Sequence, residues 1–131
     1  KCCTSLLNWR FEKIELAKKC LRQLLLYMNL IQQIKTYISA KKYRLTFHAE
    51  VEREADKIFI SEIEKAFSSD ACMIIEDYPE DKRGHSVLVL GFTKEGLPIH
   101  MVCAIHEDVL VIITLYRPDP ELWVDWRIRK E

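Results

Sequence analysis

His100, Thr114, Tyr116 and Arg117 are notable among the few polar residues of two apolar runs, Ile99 to His106 and Leu110 to Tyr116, and of the position that follows them. A polar group inside a buried strand costs free energy unless it is partnered, so each needs a reason. An imidazole, a phenol and a guanidinium can act as base, acid and cation, with His48 as a second acid or base. That set suits a displacement at phosphorus that needs no metal. A structural assignment competes with it, in which His100 forms a supporting hydrogen bond and Tyr116 packs its ring. His48 can likewise cap a helix or pair with Glu50 or Glu52.

Three further cations are candidate substrate-binding residues. Arg83, in Arg83-Gly84-His85, can face a phosphate or pair with Asp81. Arg127 and Arg129 belong to a basic, aromatic segment from Trp126 to Lys130 that can stack on single-stranded RNA or dock its tryptophans on the fold. Glu50, Glu54 and Asp56 raise the question of metal. No histidine or cysteine stands at ligand spacing with them, and a solvated helix face explains them, so no metal site is expected. A Gly-rich phosphate loop, a Gly-x-Ser-x-Gly elbow and a Cys/His nucleophile pair are all absent, and no cofactor is expected.

The elements that position these residues follow from periodicity. Leu7, Ile14, Ala17, Leu21, Leu24, Met28, Ile31 and Ile38 keep three-four spacing, which predicts helix, and Leu30 to Ser39 forms one with Ile31, Ile34 and Ile38 on a face. Tyr43 to Phe47 alternates like a short strand, and His48 to Lys57 reads as a charged helix. Ser61 and Glu64 form a capping box that opens a helix burying Ile63, Ala66 and Phe67. The period then changes to two. Cys72 to Tyr78, Ser86 to Thr93, Ile99 to His106 and Leu110 to Tyr116 read as four strands, the last apolar on both faces and hence central. A three-residue loop from Glu107 to Val109 places His100 opposite Tyr116 on one face, whereas a two-residue loop places them on opposite faces. Asp119 as N-cap and Pro120 at the first helical position predict a short terminal helix that turns Leu122, Trp123 and Trp126 to the sheet.

Composition sets the class. With 49% hydrophobic and 31% charged residues, the chain suits one globular domain. Its formal net charge is +0, with an uneven distribution. Lys1 to Tyr27 holds six basic and two acidic residues, net +4, and the remainder holds 14 and 18, net −4. An acidic main domain argues against general nucleic-acid binding but leaves room for a small basic site. The five cysteines are odd in number and form no Cys-x-x-Cys, which favours a reducing cytoplasm. Cys103 alternates with Met101 and Ile105 as a small core residue. No apolar run reaches the ~20 residues of a membrane span. The first methionine is Met28, near the change of charge sign, so residues 1–27 are expected to be an amphipathic helical extension, either genuine or lying upstream of the true start. Residues 28–131 form the main domain.

Several motifs in order carry a family resemblance over Tyr43 to Arg129: His48-Ala49-Glu50 with Glu54-Ala55-Asp56; Ile75-Glu76-Asp77-Tyr78-Pro79 with Asp81 and Arg83-Gly84; Leu88-Val89-Leu90-Gly91-Phe92; Pro98-Ile99-His100; and Ile113-Thr114-x-Tyr116-Arg117-Pro118-Asp119-Pro120-x-x-Trp123. The chain is similar to a bacterial family of small stand-alone proteins catalogued as a domain of unknown function and grouped with RelE/ParE-like toxins. The resemblance implies a toxin-like fold, a small antitoxin protein as partner, and ribonuclease activity on messenger RNA. Under it, His100, Tyr116 and Arg117, with His48, become the catalytic set for attack by a 2′-hydroxyl. The expectation is therefore α+β: N-terminal helices, a four- to five-stranded and mainly antiparallel sheet, and a short C-terminal helix. Functionally, a toxin-like ribonuclease stands against a non-enzymatic protein-interaction domain, which the acidic balance favours.

Overall fold

The computed structural model describes residues 2–131, with side chains from Asn8 onward; Cys2, Cys3 and Leu7 lie outside the described side chains. Contacts divide the chain into two units, Lys1–Leu30 and Ile31–Glu131. Helix α1 runs from Cys2 to Ser39. In the first unit the apolar side chains Ile14, Leu21, Leu24 and Met28 are each more than half exposed. Lys13 sits 4.1 Å over the Trp9 ring there. Among the described residues, no helix is long and apolar enough to cross a membrane.

The second unit is α+β. After the end of α1 come β1 (Tyr43–Leu45), α2 (Phe47–Ala55), α3 (Ile60–Ala66), β2 (Met73–Tyr78), β3 (Ser86–Phe92), β4 (Pro98–His106) and β5 (Val109–Tyr116). They build a five-stranded mixed sheet in the order β1-β5-β4-β3-β2. The run from β2 to β5 is an antiparallel meander, while β1 joins β5 in parallel. A parallel neighbour requires a crossover, and the whole β2–β4 meander with α2 and α3 supplies it.

Local chemistry explains the helices. The Thr46 hydroxyl accepts the Ala49 N–H at 3.1 Å and starts α2. Helix α3 opens at Phe59, where the Glu62 carboxylate accepts the Phe59 N–H at 3.0 Å. Ser61 therefore lies inside the helix and is not its cap. Phe67, Ile63 and Ala66 are fully buried with Ile34 and Ile38 from α1. Gly91 permits this packing, since a Cβ there would stand 2.8 Å from the Phe67 ring.

The expected terminal helix is absent. Asp119 and Pro120 start a turn, closed by Leu122 N–H to Asp119 O at 3.0 Å. A two-stranded hairpin follows, β6 (Trp123–Val124) with β7 (Ile128–Arg129). Asp125 and Trp126 have φ of 52° and 64° in its bend. Trp123 is buried, but Leu122 points to solvent at 61% exposure. Alternation along a strand, not a helical face, sorts these side chains.

Candidate functional site

Two inserted residues decide what one face of the sheet carries. In β5, Ile112 pairs with Cys103 and Thr114 pairs with Val102, so Ile113 is extra. In β2, Ile74 pairs with Val89 and Glu76 pairs with Leu88, so Ile75 is extra. Each bulge moves the residues beyond it to the other face. Glu76 and Tyr78, and likewise Thr114 and Tyr116, thereby join His100 on the face opposite α3. The β4–β5 loop has two residues, Glu107 and Asp108, with φ of 49° and 61°. Even so, His100 stands directly opposite Tyr116, because the bulge corrects the register.

His100 is fully buried. Its Nε2 lies 2.7 Å from the Trp126 carbonyl, an acceptor, so Nε2–H donates there. In the neutral ring Nδ1 is then unprotonated and accepts the Tyr116 hydroxyl at 3.1 Å. The Trp123 ring meets the imidazole edge-on, 4.5 Å between centroids at 87°. Burial pushes the His100 pKa down; the Trp126 carbonyl and the Glu76 charge only partly oppose this. Burial also pushes the Tyr116 phenol up to about 12.

Beside this pair lies a carboxylate–guanidinium fork. Arg129 donates through Nε to Glu76 Oε2 at 2.8 Å and through Nη2 to Oε1 at 3.0 Å. Its guanidinium also stands 4.7 Å over the Trp123 ring. The Tyr78 hydroxyl donates to Glu76 as well. Burial would raise the Glu76 pKa, but the bonds from Arg129 and Tyr78 outweigh it and hold the carboxyl below its usual range. Glu76, Tyr78, His100, Tyr116 and Arg129 thus form one polar group on one sheet face. A bidentate fork of this kind is strong and directional. The Arg129 side chain keeps 62% exposure, so it can still turn to a bound anion.

The other sequence candidates lie elsewhere. Arg117 donates its backbone N–H to Asp56 at 2.8 Å. Its guanidinium donates to the carbonyls of Asp56 and Lys57 and to both Glu62 oxygens, with Nη1 buried and unpartnered. It ties the end of α2 to the start of α3. His48 is exposed and pairs with Glu52 at 3.0 Å. Arg83 pairs with Asp81 at 3.2 Å, and Arg127 with Asp125 at 3.6 Å. No group of three or more His, Cys, Asp or Glu fit to hold a metal occurs among the described residues. Glu76 and Tyr78 were absent from the sequence candidates. Their signal was the polar i, i+2 spacing at the end of an apolar strand.

Residues 45–117 match a protein family described as a domain of unknown function (DUF4258). Comparisons with curated proteins and with solved structures gave no match.

Proposed function

The chain belongs to the DUF4258 family, and we propose that it is the toxin-like component of a bacterial toxin–antitoxin pair, of RelE/ParE-like fold, that cleaves RNA without a metal. One observation carries this reading: Glu76 and Arg129 form a fork next to the His100–Tyr116 pair on a single sheet face. Metal-independent cleavage needs a base, an acid and a cation around one phosphate. In this reading Arg129 turns to the phosphate and stabilises the phosphorane charge. Glu76, released from the fork, takes the proton of the 2′-hydroxyl as that oxygen attacks phosphorus. The Tyr116 hydroxyl protonates the departing 5′-oxygen, leaving a 2′,3′-cyclic phosphate. His100 is a positioning residue that aims Tyr116. The cationic role passes from Arg117 to Arg129, because Arg117 is engaged at the α2–α3 junction.

A second reading, a non-enzymatic domain that only binds a protein such as a small antitoxin, draws on a different observation. Both ring nitrogens of His100 already have protein partners. Purified protein incubated with RNA and chelator separates the two. Cleavage is expected, with Glu76→Gln and Arg129→Ala each slowed by roughly 100-fold, the scale of one acid–base or charge-stabilising group. Expression of the wild type is expected to arrest bacterial growth, and that of Arg129→Ala is not. Intact RNA with folded wild-type protein, and equal growth of both strains, would leave the binding reading in its place.

A further inference from the structure

The polar group does not occupy the whole sheet face. Along β4, His100, Val102, Ala104 and His106 alternate onto the same side. Beyond Val102 the face opens into a cavity of about 260 Å³. Its floor is Ala104, Val111 and Ile113, three buried apolar residues that form a cluster of their own against Val102. Its rim carries Arg44, Arg83 and His106. Register explains part of the arrangement. Arg44 pairs with Val111, and Val111 pairs with Ala104, so a cation and two floor residues stand in one row across three strands.

The rim carries two arginines, and one of them is free to bind. Arg44 is exposed, and its side chain has no hydrogen-bond or ion-pair partner among the described residues. Arg83 donates through Nε and Nη2 to the two Asp81 oxygens at 3.2 and 3.3 Å, but its side chain is 65% exposed and, like that of Arg129, can turn to a bound anion. The Asp81 carboxylate is itself occupied, since it accepts from the Arg83 backbone at 3.0 Å and from the Ser86 hydroxyl at 2.7 Å. His106 Nε2 lies 3.7 Å from the exposed Glu107 carboxylate. Arg44 is thus the rim cation without a carboxylate partner among the described residues, in a domain whose total is acidic.

We infer that this cavity is a nucleotide subsite for single-stranded RNA, in which Arg44 and Arg83 hold the backbone phosphates on either side of one residue whose base and ribose lie on Ala104, Val111 and Ile113. This rests on the RNA reading of the neighbouring Glu76–Arg129 group. The volume lies just under the roughly 300–1,000 Å³ of sites for drug-sized ligands, as expected for a single nucleotide unit. The aliphatic floor offers no base-edge donors or acceptors. The Thr46 hydroxyl that also lines the cavity is already bonded to the Ile113 carbonyl and the Ala49 N–H, which leaves His106 as the uncharged polar lining group that can meet a base edge. Ala104 stands four residues from His100, about 13 Å along the strand. A short extended RNA bridges the two places, whereas a duplex does not enter a concavity this narrow. The subsite fixes which phosphate reaches Arg129 by gripping the strand at a set distance.

The test measures binding apart from cleavage. A fluorescent 2′-O-methyl RNA ten-mer has no free 2′-hydroxyl and stays intact, and its anisotropy reports affinity for the full chain. Arg44→Ala and Arg83→Ala are expected to weaken binding by about 5–10-fold each. Each also lowers the slope of log affinity against log salt by about 0.7, the value per phosphate on a single strand. Arg44→Lys retains most of the affinity. Lys94→Ala, at the opposite β3–β4 turn, binds as the wild type does. Thermal unfolding confirms that each variant is folded. Binding with these losses but no cleavage of ordinary RNA would keep the subsite and remove the catalytic reading. Unchanged affinity in both arginine variants, or equal displacement of the RNA by poly-glutamate, would overturn the subsite.

Discussion

Tyr116 is the cross-strand partner of His100 because Ile113 is inserted in β5 ahead of it. The tight turn at Glu107-Asp108 alone would set these two side chains on opposite faces. The bulge reverses that parity and brings the phenol within 3.1 Å of Nδ1. A buried imidazole thereby has both nitrogens bonded, one to a side chain and one to the carbonyl of Trp126 in the terminal hairpin.

Tyr116→Phe removes one donor and leaves Nδ1 without it. The expected loss is about 1 kcal/mol, the net worth of one intramolecular hydrogen bond. Urea unfolding of the two proteins measures it. An unchanged midpoint would mean that water replaces the hydroxyl at no cost.

His100 also predicts a pH dependence. Its folded pKa lies below the ordinary value of about 6.5, so the folded state disfavours the proton that the unfolded chain accepts. The stability from neutral His100 is fully present above that ordinary value. It declines as pH falls toward the lowered folded value. The wild type should therefore lose more stability than His100→Gln between pH 7.5 and pH 5 in matched urea titrations. The exposed histidines are common to both proteins and cancel. Parallel curves would refute the assignment of that proton.

Trp123 joins the hairpin to the sheet. It is 5% exposed, lies against His100 and carries the Arg129 guanidinium on its ring. Trp123→Ala should cost about 3–5 kcal/mol, as for other buried aromatic truncations. Leu122→Ala, next to it but exposed, should change stability by less than about 0.5 kcal/mol. Comparable losses at both positions would place the hairpin differently.

Arg117 is expected to act on stability. Arg117→Ala removes the link between the Asp56 and Lys57 carbonyls, just past α2, and Glu62, and should cost about 1.5–3 kcal/mol, the range for hydrogen bonds to charged groups. RNA cleavage per folded molecule should stay close to that of the wild type. A variant of full stability whose cleavage is lost would return Arg117 to the chemistry.

Much of the sheet was legible because its strands alternate cleanly and end at Gly84, Gly96 and the Glu107-Asp108 turn. The two bulges were not. Ile75 and Ile113 are apolar residues within apolar runs, so nothing local marks them as extra. Yet they decide which side chains face His100. The parallel pairing of β1 was equally hidden, since three residues carry no sign of a partner more than 60 positions away. The terminal hairpin stands where a helix is expected for a definite reason. Asp119-Pro120 suits a helix start and also a type I turn, and here the Asp119 carboxylate accepts the Glu121 N–H at 2.9 Å in a local turn. His100, Tyr116 and Arg129 stood out as polar or cationic residues beside apolar or aromatic ones. Glu76 and Tyr78 close the Cys72–Tyr78 strand with no role legible in the sequence, because their share of the site depends on the Ile75 bulge.

Beyond β1, the outer edge of β5 is met by side chains and not by another strand. The Thr46 hydroxyl donates to Ile113 O at 3.0 Å, Glu52 accepts from Leu115 N at 3.3 Å, and Asp56 accepts from Arg117 N at 2.8 Å. Helix α2 thus works as a surrogate strand. Its residues occupy the backbone groups on which another chain would template, and β1 is too short to seed pairing in their place. The sheet has one direction left in which to grow. That direction is β2, the strand that carries Glu76.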